Sequence, residues 1–141
     1  MKQEDKELLL KDLCARLPYG VKCSFGVDDA VYEICGINPM CCGASEIQAT
    51  HIKSGINGDF AINACKLYLF PLSSMTEEQK IEYSRRKHEV PVCHYEYGDI
   101  VEEVEVYDSP ESFEYLIENH FDYRGLIPMG LAIDCTNLGI Y

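Results

Sequence analysis

Two runs of alternating apolar and polar residues, each reversing at a pair of turn formers, constrain this chain more than any other feature. In the first, a two-residue turn at Asp28-Asp29 would pair Val27 with Ala30, Phe25 with Tyr32 and Cys23 with Ile34. Val21, Cys23, Phe25, Val27, Ala30, Tyr32 and Ile34 then share one face, while Lys22, Ser24, Gly26, Val31, Glu33 and Cys35 take the other. A slip of one residue would turn the apolar set to water, so the pattern specifies the faces. In the second run, beyond Pro91, a turn at Gly98-Asp99 would pair Tyr97 with Ile100. Cys93, Tyr95, Tyr97, Ile100, Val104 and Val106 fall on one side, with Glu102 as the charged exception. His94, Glu96, Val101, Glu103 and Glu105 fall on the other. That register sets His94 opposite Glu103, the geometry of a cross-strand ion pair.

Helical periods flank these runs. Leu9, Leu10, Leu13 and Leu17 recur at helical spacing, with Glu4 and Asp5 at the favourable end of the helix dipole and Pro18 as the stop, which predicts a helix over residues 4–17. Thr76-Glu77-Glu78-Gln79 spells a capping box and starts another helix, whose Arg85-Arg86-Lys87-His88 end complements the dipole. Ser109 followed by Pro110 opens a helix over 109–119, with Phe113, Leu116, Ile117 and His120 as its apolar stripe. Asp122 could cap a further short helical turn ending by Gly130. Ile47, Ala49 and His51 suggest a third strand, residues 54–59 read as a loop, residues 60–70 fit strand or helix, and residues 131–133 could add an edge strand. The sum is one α+β domain over residues 1–141: an antiparallel sheet built mainly from two hairpins, packed on one face by two to three helices.

Three blocks carry a resemblance: residues 10–21, spelled Leu10-Lys11-Asp12-Leu13-Cys14-Ala15-Arg16-Leu17-Pro18-Tyr19-Gly20-Val21; the Pro71-Leu72-Ser73-Ser74-Met75-Thr76-Glu77-Glu78 segment; and residues 116–134. In these the chain resembles a family of short uncharacterised proteins from gut bacteria and their phages or mobile elements. The resemblance implies a mobile-element setting and carries over no activity, cofactor or site residue.

Charge narrows the partners. A formal net charge of −12 disfavours direct contact with nucleic-acid phosphates or an anionic membrane and leaves open a basic protein partner. Basic residues are interspersed along the chain except over residues 96–118, which hold no Lys or Arg. The charged start, Met1-Lys2-Gln3-Glu4-Asp5-Lys6-Glu7, leads into only a three-leucine run, neither a signal peptide nor a membrane span, so the expected compartment is the cytoplasm. The cysteines are then reduced thiols, most of them small core residues.

No motif fixes a reaction. Cys23, Cys35, Cys41, Cys42, Cys65, Cys93 and His94 are zinc-ligand types, but no C-x-x-C pair organises them. Cys42, on a glycine-flanked loop, would need His51 or His120 within reach to act as a nucleophile. Carboxylate pairs sit where solvated strands, helix starts and turns place them, and no phosphate loop, nucleotide fingerprint or serine elbow occurs. No cofactor, metal or catalytic residue is expected. The expected function is a non-enzymatic accessory module that binds another protein through an acidic face, with Glu96, Glu103 and Glu105 as members. The alternatives are an inhibitor that mimics nucleic acid before a DNA-handling or defence protein, and a small Cys/His hydrolase.

Overall fold

Val21, Cys23, Phe25 and Ile34 of the first run's apolar set are buried, and a sheet assembles around them. In the computed structural model, which describes residues 1–27, 29–38 and 46–141, helix α1 (Gln3–Arg16) leads into β1 (Lys22–Ser24), β2 (Tyr32–Ile37), β3 (Ile47–His51), β4 (Asn57–Phe60) and β5 (Lys66–Leu69). With β8 (Ala132–Asp134) near the end of the chain, these strands form a six-stranded sheet in the order β4-β3-β2-β1-β5-β8. Every neighbouring pair is antiparallel except β5 and β8. Between β5 and β8 the chain contributes α2 (Glu77–Arg85), β6 (His88–Glu96), β7 (Asp99–Tyr107) and α3 (Pro110–Glu118), with β6 and β7 forming a separate two-stranded sheet. The class is α+β with a mostly antiparallel sheet. Residues group into two compact units, Met1–Ser74 with Ile117–Tyr141, and Met75–Leu116.

In the first unit, β1 and β2 keep the expected faces but not the expected partners. Cys23 pairs with Tyr32 rather than Ile34, a shift of two residues that preserves side-chain direction. The reversal is correspondingly longer, so Val27 lies in it and is exposed; the Asp28 half of the expected turn lies outside the described residues. Val21, Cys23, Phe25 and Ile34 are buried, joined by Ile47 and Ala49 of β3 and by Leu9 and Leu13 of α1. Residues 57–59, read as loop from Asn, Gly and Asp, join Phe60 of the ambiguous run in edge strand β4. Thr50 Oγ1 donates to Asn57 Oδ1 at 2.6 Å, and Gly58 leaves room for the Phe60 ring, which a Cβ there would meet at 2.9 Å. That ring stacks on Phe25 with centroids 3.9 Å apart.

β5 resolves the ambiguous run. Leu67, Tyr68 and Leu69 are all buried because β5 lies between β1 and β8 in the sheet interior, so no two-residue alternation survives in the sequence. The turn after Phe121 is not helical. Asp122 nevertheless caps it, its carboxylate accepting from Leu126 N–H at 2.8 Å and Ile127 N–H at 2.9 Å.

The second unit is built differently. The capping box at Thr76 and Gln79 starts α2, and the basic residues at its end are engaged locally: Arg85 and Arg86 with Glu82, Lys87 with Asp108 at 4.0 Å. In α3, Ser109 and Ser112 cap each other, with Ser112 N–H donating to Ser109 Oγ at 3.1 Å and Ser109 N–H to Ser112 Oγ at 2.8 Å. This draws Ser112 inward, and the buried stripe is Ser112, Tyr115 and Leu116, one residue out of phase with the expected one, leaving Phe113 41% exposed. β6 and β7 pair only with each other, so the second hairpin stands as its own ribbon rather than extending the main sheet.

Candidate functional site

The ribbon turns at Tyr97-Gly98, one residue earlier than the glycine-aspartate pair suggested, and the register runs from Glu96 opposite Asp99 to His88 opposite Tyr107 without a bulge. Both turn residues have positive φ, 52° for Tyr97 and 88° for Gly98, the pattern of the tight reversal that matches strand twist. Glycine adopts this freely; tyrosine does not. Tyr97 is nevertheless fully exposed at the tip.

Because the shift is two residues, the two faces hold the expected members. One face carries Glu96, Asp99, Glu103 and Glu105 with His88, Val90, Val92, His94, Val101 and Tyr107, of which Val90, Val92 and Val101 are half-buried. Glu96, Glu103 and Glu105 therefore lie on the same side, with Glu103 and Glu105 about 7 Å apart along β7 at the rise of an extended strand. The cross-strand pair between His94 and Glu103 does not form: Val101 faces His94, Val92 faces Glu103, and His94 Nε2 instead lies 3.8 Å from Glu96 Oε2 on its own strand. Glu105 accepts the Tyr107 hydroxyl, which raises the phenol's pKa through that bond and the adjacent charge. Among the described residues, none of Glu96, Asp99, Glu102, Glu103 and Glu105 pairs with a Lys or Arg.

The opposite face, mainly apolar but carrying Glu89 and Glu102, is open to water. Tyr95 is 80% exposed and Ile100 63%, and Val104 and Val106 are exposed as well. Glu102, opposite Cys93, is exposed and is no misfit on a face that nothing of the ribbon covers. Large apolar residues left uncovered side by side are the informative kind of exposure.

The first unit holds two features that sequence reasoning did not find. A cavity of about 460 Å³ brings Lys22, Asp29, Val31, His51, Lys53 and Ile140 together from separate segments. Lys22 Nζ donates to Ile140 O at 2.7 Å, and Ser54 N–H donates to His51 Nδ1 at 3.0 Å, which leaves the ring hydrogen on Nε2. The Lys22 and Lys53 side chains share this cavity with the Asp29 carboxylate, and no local spacing announces the grouping. The other feature is a buried charge cluster. Asp12 and Arg16 are both 0% exposed; Arg16 Nε donates to Asp12 Oδ2 at 2.6 Å and Arg16 Nη2 to Phe121 O at 2.7 Å. Arg124 Nε lies 3.2 Å from Asp12 Oδ1, at ion-pair distance but without hydrogen-bond alignment. The helical i, i+4 spacing of Asp12 and Arg16 was the available signal.

The histidines and cysteines go to separate places. His120, at φ 62°, stacks on Tyr141 with centroids 3.7 Å apart, and burial, with the Arg16 and Lys22 charges, lowers its pKa to about 4. Cys23 and Cys65 hydrogen-bond to each other in the core, which together with burial raises the Cys23 pKa. Cys35 donates to Gln48 O, and Cys93 is exposed on the ribbon. Cys41 and Cys42, and with them the proposed nucleophile and the link over 39–45, lie outside the described residues. Among the described residues no three metal-binding side chains converge, and no helix is long and apolar enough to cross a membrane. No protein-family model, curated protein or solved structure matches this chain.

Proposed function

We propose that the chain is an accessory module that binds a basic protein through the β6–β7 ribbon, Glu96, Glu103 and Glu105 supplying the electrostatic side of the contact. The observation that carries this reading is the pairing of surfaces on one element: an acidic face without Lys or Arg partners, backed by exposed Tyr95, Ile100, Val104 and Val106. Apolar area supplies affinity when covered, and unpaired carboxylates steer a cationic partner and reject an anionic one. Tyr97 at the tip adds a rigid aromatic group of the type that dominates contact energies. The carboxylates are interrupted by Val90, Val92, His94 and Val101 on the same face, which favours a mixed protein contact over an unbroken imitation of phosphates. The resemblance to proteins of gut bacteria and their mobile elements directs the search for the partner to such a host.

The test is affinity capture from that host with the parental chain and an E96K/E103K/E105K variant. The partner should be lost with the charge reversal and be retained by a control that reverses Glu77 and Glu78 at the start of α2. Equal capture by the parental and ribbon-reversed chains would sink the reading.

A further inference from the structure

We infer that the outer edge of β7 accepts an extended basic segment of the partner as a third strand of the ribbon. This rests on the ribbon being the docking element and specifies how it docks.

In an antiparallel ladder closed by a two-residue turn, the pair flanking the turn exchanges both backbone hydrogen bonds, and every second pair does the same. With Glu96 opposite Asp99, the bonded pairs include His94 with Val101 and Val92 with Glu103. The intervening residues aim their N–H and C=O groups outward. On β6 these are Glu89, Pro91, Cys93 and Tyr95; on β7 they are Ile100, Glu102, Val104 and Val106. Pro91 has no N–H, so the β6 edge is broken in its middle. Directly across from it, Val104 keeps its N–H, and the β7 edge is continuous over its nine residues.

Free edges are normally blunted with lysine, proline, a bulge or a covering element. β7 has no Lys, no Pro and no bulge, and among the described residues no strand pairs with its outer side. Its only safeguard is negative charge, and that safeguard selects. A second copy of β7 would crowd Glu102, Glu103 and Glu105 of one chain against the same carboxylates of the other, with no Lys or Arg in the ribbon to offset them. A segment that places Lys or Arg opposite these carboxylates and β-branched residues opposite Ile100, Val104 and Val106 meets no such repulsion. Backbone bonds to the outward groups would supply affinity, and the alternating side chains would supply specificity.

The probe is an end-capped synthetic peptide of sequence VKVKKTVK, titrated into the isotopically labelled full chain with amide exchange read by NMR. In the free chain the amides of Val101, Glu103 and Glu105 should exchange slowly and those of Ile100, Glu102, Val104 and Val106 fast. The peptide should slow the second set selectively. Val104→Pro removes one outward N–H while mirroring Pro91, so it should weaken peptide binding by at least about tenfold while the Val101 and Glu103 amides stay protected. If E96K/E103K/E105K abolishes binding but Val104→Pro and the outward amides show no response, strand addition is overturned and acidic docking survives. If neither variant changes binding, or the peptide does not bind, this inference fails; whether the docking reading also fails is decided by the capture experiment. Protection of the outward amides by self-association without peptide would give the edge to a second copy and overturn the choice of occupant.

Discussion

The Asp12 cluster and the β6–β7 ribbon handle charge in opposite ways. In the first unit, buried charges have partners: Asp12 has Arg16 and Arg124, and Glu46 accepts from Lys6 at 2.7 Å and from Ile62 N–H at 3.1 Å, which lowers its pKa. In the ribbon, among the described residues, carboxylates have no Lys or Arg partner, and Tyr95, Ile100, Val104 and Val106 are exposed. The first arrangement uses its side chains to tie α1 to the segments around Glu46 and Phe121. The second leaves its carboxylates and the Tyr95, Ile100, Val104 and Val106 side chains available, so function is better sought there.

The strongest way to break this contrast is to cut one member of the cluster. Asp12→Ala leaves Arg16 buried and without its carboxylate, and should lower unfolding free energy by about 3–5 kcal/mol, the usual result of removing one partner of a buried pair. The ribbon-reversed E96K/E103K/E105K chain should change it by less than about 1 kcal/mol, because exposed charges contribute little. Urea denaturation followed by circular dichroism checks both. Equal losses would mean that the ribbon supports the fold as much as the cluster does.

A smaller effect sharpens the contrast through pH. In the folded chain the pKa of His120 falls from 6.5 to about 4, first through burial and then through the Arg16 and Lys22 charges; the stacked Tyr141 phenol has its own pKa raised by burial. The unfolded chain therefore takes up the proton first, so this stabilisation is present above pH 6.5 and is lost as pH falls through about 4. With the half-buried ring discounted for solvent screening, the loss should be about 1–2 kcal/mol. His120→Asn, which tolerates the positive φ, should flatten that window while leaving the acid limb that Glu46 produces at lower pH. An unchanged profile would show that His120 is not held in its uncharged form.

Much of this was legible in the sequence, for identifiable reasons. Faces survived because both hairpin registers moved by two residues, and a two-residue shift keeps every side chain on its side. The capping box at Thr76 and the Ser109 cap were readable because their donors and acceptors are local. β4 was missed because its Asn, Gly and Asp have poor strand preference and are held by pairing to β3 alone. The exposed state of the ribbon's apolar face was also hidden: alternation announces two faces but does not say whether another layer covers the apolar one. Glu96, Glu103 and Glu105 could be grouped from alternation, whereas the Lys22, His51 and Lys53 cavity depends on segments brought together only by the sheet.

The smallest effect concerns the tip. Tyr97 occupies the left-handed region at φ 52°, where a side chain branched into a ring gains nothing locally and asparagine is tolerated better. Because Tyr97 is fully exposed, its substitution removes no packing that would offset relief of that strain. Tyr97→Asn should therefore stabilise the ribbon by about 1 kcal/mol, slowing exchange of the Val101 and Glu103 amides by about fivefold, with no change in global unfolding of the six-stranded sheet. A stabilised ribbon that also captures less partner would show that the tyrosine is kept at the tip for contact, against the preference of the turn. If exchange instead quickens, the ring supports the ribbon, and the division between a unit that spends its side chains on stability and one that leaves them free does not extend to the turn.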